Sequence, residues 1–180
     1  EAIETSQKRH PGLYAISTSP NGERAFTYWR AQSAARELFQ TAHGAEFSAL
    51  NGYDALYLSG ITLAILPADI RHELLNFLKT SDALFAFDSN YRPALWGDAQ
   101  EARKTINSFW EISDLALPSL DDEMELFQEN FETVQKRFAA YGSLGALKRG
   151  EKGPLSLGER ISATRYPASP TVVDTTAAGD

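Results

Sequence analysis

Two β-prone stretches near the start of the chain, Leu13-Tyr14-Ala15-Ile16-Ser17 and Arg24-Ala25-Phe26-Thr27-Tyr28-Trp29, flank the run Pro20-Asn21-Gly22-Glu23. Asn-Gly between such stretches predicts a hairpin, because both residues tolerate positive φ. From Ala31 to Leu50 the chain becomes rich in Ala and Glu, with apolar spacing that suits one or two amphipathic helices broken at Gly44. Beyond it, continuous apolar runs take over. Ala55 to Gly60 reads as a buried strand followed by a turn, and Leu84 to Asp88 as a second buried strand. Helices are predicted over Pro67 to Leu78, with Leu74, Leu75 and Leu78 on one face, and over Ala99 to Trp110, Asp121 to Phe127 and Phe131 to Tyr141. Short strands are expected at Leu115 to Pro118, Ala146 to Lys148, Leu155 to Leu157 and Val172-Val173.

Buried strands alternating with helices point to an α/β fold whose sheet has right-handed crossovers and whose binding site lies at the C-terminal strand edges. A chain of 180 residues with 43% hydrophobic content supports one domain with a sizeable core. The links at 79–82 and 141–145 are short for helix-to-strand returns, which predicts missing residues there. The chain opens at Glu1 without an initiator Met and closes where a helix should begin, so it reads as a piece of a longer protein.

The net charge of −7 argues against a broad nucleic-acid or anionic-membrane surface, so any phosphate must be held locally. Without cysteine there is no disulfide framework or thiolate metal site, and a cytoplasmic location is the default. No apolar run reaches the length of a transmembrane helix, about 18 residues. His10, His43 and His72 lack ligand spacing, which argues against zinc. No G-x-S-x-G elbow and no G-x-x-x-x-G-K-[ST] loop occurs.

Candidate chemistry gathers in five places. Asp174-Thr175-Thr176-Ala177-Ala178-Gly179-Asp180 combines small residues, whose amides a ligand can approach, with a final carboxylate. Such an arrangement suits an anion hole beside a general base, and so phosphoryl transfer to an alcohol; it equally suits an ordinary capped helix start. Asp88-Ser89-Asn90-Tyr91-Arg92-Pro93 follows a strand end, where Arg92 can grip a carboxylate or phosphate. Alternation puts Tyr28 and Arg30 on one face of the hairpin, a pairing fit for a small hydroxylated acid or for plain cross-strand packing. Asp121, Asp122 and Glu123 open a helix, where carboxylates ordinarily serve the dipole. Lys148 to Gly153 is a glycine-punctuated basic loop, which by itself reads as a hairpin turn with solvated charges.

These motifs resemble those of the PfkB family of ribokinase-like carbohydrate kinases. The C-terminal run resembles D-T-x-x-A-G-D, and Asp88 to Trp96 resembles the D-x-N-x-R-P-x-L-W segment of the keto-deoxygluconate kinases within that family. Gly12-Leu13-Tyr14 and Tyr28-Trp29-Arg30 resemble their sugar-acid-binding hairpin. The resemblance implies a three-layer α/β/α sandwich with a mostly parallel sheet and a β-hairpin lid over 12–30, the core occupying 51–180. It implies Asp180 as base and Ala177, Ala178 and Gly179 as anion hole. By the same resemblance Tyr14, Tyr28, Arg30, Asn90 and Arg92 bind a sugar acid, and Lys148, Gly150 and Gly153 contact ATP. Glu123 falls in the outer shell of Mg²⁺ if Leu120 replaces the Asn of the family's N-x-x-E. The implied activity is ATP-dependent phosphorylation of 2-keto-3-deoxygluconate. A fructose or nucleoside kinase of the same family, and a non-catalytic sugar-acid-binding module, are the alternatives; self-association is left open.

Overall fold

The structure, a computed structural model, describes residues 3–19 and 24–158. The two β-prone stretches form an antiparallel ribbon of β1 (Leu13–Thr18) and β2 (Arg24–Trp29), with Tyr14 opposite Tyr28 and Ile16 opposite Phe26. The Pro20-Asn21-Gly22-Glu23 turn lies outside the described residues. Opposed residues share a face, so Tyr14, Ile16, Phe26 and Tyr28 line one side of the ribbon, while Leu13 and Trp29 lie on the other.

Residues 31–50 do not form the expected helices. A 3-10 turn at Ala34–Glu37 leads into a small antiparallel ladder of β3 (Gln40–Thr41) and β4 (Gly44–Ala45), and a second 3-10 turn follows at Ser48–Leu50. Tertiary packing overrides alanine propensity here. Phe39, at φ 64, turns its ring onto Phe47 at 5.3 Å, and Phe47 packs in turn on Phe77 at 5.3 Å. A continuous helix has no place for that left-handed residue.

The main sheet has five strands in the order β5 (Ala55–Ser59), β6 (Leu84–Asp88), β7 (Leu115–Ala116), β8 (Leu144–Leu147) and β9 (Leu155–Leu157). The first four run parallel and β9 is antiparallel. The turn expected after β5 is instead the start of a helix. In α1 (Gly60–Ile65) the Ser59 hydroxyl accepts the Ile61 N–H at 3.4 Å as an N-cap. Then come α2 (Ala68–Thr80), α3 (Ala99–Trp110), α4 (Leu120–Phe127) and α5 (Phe131–Tyr141). Residues 81–83 lead α2 into β6, and 142–143 lead α5 into β8. No helix among the described residues is long and apolar enough to cross a membrane.

Register places Leu56, Phe85, Phe87, Ala116 and Leu147 on one face of the sheet, all buried. Helices α2 to α5 lie side by side over that face, joined by Arg71 with Glu101, by Arg103 donating to the Leu126 carbonyl, and by Arg137 with Glu123. The rings of Phe87 and Trp110 sit 4.5 Å apart, and Trp110 meets Phe138 at 5.0 Å. Edge-on pairs of this kind add about 0.5–1.5 kcal/mol each beyond the apolar area they bury. The opposite face carries the exposed Tyr57, Leu84 and Leu144.

Gly60 brings the start of α1 against the loop after β6, where a Cβ would overlap the Ser89 carbonyl oxygen. Gly60→Ala is expected to cost at least about 1–3 kcal/mol in urea unfolding of the full-length protein, because the loop must move. Gly97→Ala, where a Cβ meets nothing within 4 Å, should stay within about 0.5 kcal/mol. Equal costs at the two positions would contradict the close approach.

Candidate active site

Strand β6 ends at Asp88, and the loop that follows is pinned from three sides. The buried Asp88 carboxylate accepts the Asn90 N–H through Oδ1 at 3.1 Å, a turn that Asn90 permits by adopting φ 32. Its other oxygen, Oδ2, takes the Lys148 ammonium at 2.5 Å from the end of β8. The Tyr91 N–H donates to Asp122 Oδ2 at 3.0 Å, at the start of α4. Arg92 donates Nη1 to the Tyr91 carbonyl at 2.7 Å, stands 3.7 Å from Asp122 Oδ2, and leaves about half its side chain in solvent. Three loops from adjacent parallel strands therefore bring two carboxylates and two cations together at the C-terminal edge, where an α/β sheet presents its site.

Lys148 is held by its backbone as well. Its N–H donates to the Pro118 carbonyl at 2.8 Å and its carbonyl accepts the Leu120 N–H at 2.9 Å, continuing the β7–β8 pairing beyond the strands. Just past it, Gly150 and Gly153 adopt φ 54 and 72, and a Cβ at either meets nothing within 4 Å. The glycine loop thus offers bare backbone on the same edge as Lys148.

Glu123 lies just behind this edge, next to Ser89 of the loop after β6. Its side chain is fully buried, with Oε1 accepting the Trp110 indole N–H at 3.3 Å and Oε2 paired with Arg137 at 2.9 Å. Arg137 also pairs with Glu129 at 2.9 Å and lies 4.0 Å above the Phe127 ring. Burial raises the proton affinity of Glu123 while the Arg137 guanidinium opposes that rise. Both of its oxygens are thus engaged by Trp110 and Arg137, and the outer-shell role expected of Glu123 stays a proposal. One residue earlier on the helix points about 100° away, and it is Asp122 that meets the loop. Sequence reasoning read Asp122 as a dipole carboxylate and counted Asp88 among the strand-end groups without a role of its own. The signal it had was the position of both after strand ends.

The ribbon forms a second cluster. Tyr14 and Tyr28 stand 6.3 Å apart, Tyr28 and Phe26 stack at 5.9 Å, and the Arg30 guanidinium lies 4.0 Å above the Tyr28 ring. An open hollow of about 990 Å³ beside Tyr28 and Arg30 is also lined by Lys8, Arg9 and His10. The ribbon and the main sheet are separate sheets, so Tyr14, Tyr28 and Arg30 form one group, and Asn90, Arg92 and Lys148 another. Ala177, Ala178, Gly179 and Asp180, with Asp174 and the Val172-Val173 strand, lie outside the described residues.

Fold and site together define an α/β protein with cation-lined loops at the carboxyl ends of a mostly parallel sheet. The chain belongs to the pfkB family of carbohydrate kinases, whose profile it matches over residues 1–180. It is 38% identical to the 2-dehydro-3-deoxygluconokinase of Escherichia coli and 37% identical to that of Dickeya dadantii, in both cases over all of this chain. It spans 63% of the length of the former and 61% of the latter. Among solved structures, an uncharacterised sugar kinase from Pyrococcus horikoshii in complex with ATP superposes with a TM-score of 0.67 at 19% identity. That match covers 97% of this chain and 55% of the other.

Burial raises the Asp122 carboxyl above its ordinary value; Arg92, the Tyr91 N–H and Lys148 oppose the rise, and Asp88 adds to it. Ionised Asp122 therefore costs stability above its folded pKa. The cost vanishes below the unfolded carboxylate range, about 3.9, where both states hold the proton. Asp122→Asn is expected to raise the thermal midpoint of the full-length protein at pH 7, with the difference narrowing toward pH 4. A pH-independent difference would contradict the burial argument.

Proposed function

We propose that this chain is the greater part of an ATP-dependent sugar-acid kinase that phosphorylates 2-keto-3-deoxygluconate, the compound also called 2-dehydro-3-deoxygluconate, to 2-keto-3-deoxy-6-phosphogluconate. The observation that carries the reading is Arg30 laid over Tyr28 beside Tyr14, a cation and two hydroxyls on one ribbon face. A neutral sugar gives such a cation no carboxylate to meet. The identity with bacterial 2-dehydro-3-deoxygluconokinases over the whole chain supports the same substrate.

Tyr14, Tyr28 and Arg30 hold the acid from the ribbon side, with Asn90 and Arg92 on the sheet side. The substrate's primary hydroxyl attacks the γ-phosphorus as the bond to the ADP oxygen breaks, and Asp180 takes the hydroxyl proton. The Ala177, Ala178 and Gly179 amides stabilise the equatorial phosphoryl oxygens. Lys148 and the open backbone at Gly150 and Gly153 meet the nucleotide. Mg²⁺, when bound, offsets charge on the β- and γ-phosphates. Among the described residues no cluster of three metal-ligating side chains forms, and Glu123 is sealed in the core. Asp122, which keeps 19% of its side chain exposed, fits a cation held mainly by phosphates and water.

In the full-length protein, Asp180→Asn should lower kcat by about 10²–10⁴-fold with little change in the KM for ATP, as measured by coupled ADP release. Near-wild-type turnover would refute the base assignment. Arg30→Ala should raise the sugar-acid KM by roughly tenfold or more, the worth of a charge-assisted hydrogen bond. An effect confined to ATP would contradict its role. A sugar panel in which fructose or a nucleoside exceeds 2-keto-3-deoxygluconate in kcat/KM would overturn the substrate.

A further inference from the structure

We infer that Asp88 is a positioning residue that ties the sugar-acid loop to the nucleotide loop, so that binding of one substrate strengthens binding of the other. The inference rests on the kinase reading above. One carboxylate serves both loops: Oδ1 accepts the Asn90 N–H at 3.1 Å and so shapes the turn that carries Arg92, while Oδ2 holds the Lys148 ammonium at 2.5 Å. Asp88 and Lys148 are 60 residues apart in sequence. Within the chain they meet only because β6 and β8 flank β7 in parallel.

The contact is built to transmit. Asp88 is buried at the end of a strand whose preceding residue, Phe87, is fully buried under Trp110, so its carboxylate has little freedom. The Lys148 backbone is fixed against Pro118 and Leu120, yet its side chain stays 30% exposed at the edge. An ammonium has three N–H donors, and the Asp88 bond uses one. The others are free in direction for an anion while the bond to Asp88 sets where the nitrogen sits. On the other side, Ser89 is sealed against Gly60 and the Tyr91 N–H is held by Asp122, so the loop cannot swing freely. A nucleotide phosphate that draws Lys148 therefore acts on Asp88, and through Oδ1 on the Asn90 turn. A sugar acid that orders Arg92 and Asn90 acts on the same carboxylate from the opposite direction. By linkage the two effects are equal.

The test measures ADP affinity by titration calorimetry in the full-length protein, with and without saturating 2-keto-3-deoxygluconate. The variants are Asp88→Asn, Lys148→Met and the double mutant. Asn keeps an oxygen for the Asn90 N–H while removing the charge that holds Lys148, and circular dichroism verifies folding. In the wild type the sugar acid is expected to tighten ADP binding by about fivefold or more, the lower range of site-to-site coupling. Each single variant should reduce that factor to less than about twofold, and the double mutant should do no worse than either. The ratio is the readout because a residue that merely stabilised the fold would weaken both affinities and leave the ratio alone. Wild-type synergy retained in Asp88→Asn, or lost there but kept in Lys148→Met, overturns the inference, as does a wild type that binds both ligands independently. A wild type that binds neither ligand overturns the kinase reading itself.

Discussion

The contact between Phe87 and Trp110 governs most of what this chain places at the carboxyl edge of its sheet. Phe87 is the residue before Asp88, and seating its ring under the α3 indole at 4.5 Å fixes how far β6 extends and which way its last side chain turns. Successive residues of a strand point to opposite faces, so a buried Phe87 on the helix side sets the direction of Asp88. The same indole fixes α4. Its N–H binds Glu123, which draws that carboxylate inward, and the helical advance of about 100° per residue leaves Asp122 facing the loop after β6. One aromatic pair thus aims two carboxylates from two different elements.

Holding Glu123 inside is expensive unless its charge is matched. The Arg137 guanidinium does that from α5, backed by Glu129 and by the Phe127 ring. A buried pair of this kind is weak evidence for stability as such, since desolvation offsets most of its attraction. Its consequence is geometric: α3, α4 and α5 are locked in one rotational setting by directional bonds that apolar packing alone would leave loose.

This division explains what could be read from the sequence. The ribbon was legible because Asn-Gly and β-prone flanks are local signals, and β5, β6, α2, α3 and α5 were legible because their apolar spacing reports burial directly. The stretch 31–50 was not, because Phe39 and Phe47 find their partners in each other and in Phe77 rather than along one helical stripe. Helix α1 was hidden by Gly60, which reads as a turn residue but is required by the approach of the Ser89 carbonyl. At the site, residue types were legible and orientation was not. Asp122 and Glu123 are adjacent carboxylates at a helix start, and only the position of Trp110 decides which is sealed and which faces the edge.

The cations of the two clusters are held by different means, and the difference suits different ligands. Arg30 rests on the face of Tyr28, a contact that steadies the guanidinium without occupying its N–H donors, so its planar fork stays available to a carboxylate. Lys148 is held by a carboxylate through one of three donors, which fixes a compact charge in space while keeping hydrogen-bonding capacity for phosphate oxygens. Arg92 combines the two modes: one nitrogen is tethered to the Tyr91 carbonyl near Asp122, and half of the side chain remains in water. In a chain of net charge −7, loose cations would be attracted to neighbouring acids in many arrangements. Anchoring each by a single specific contact removes that freedom before a ligand arrives, which lowers the ordering cost that binding must otherwise meet.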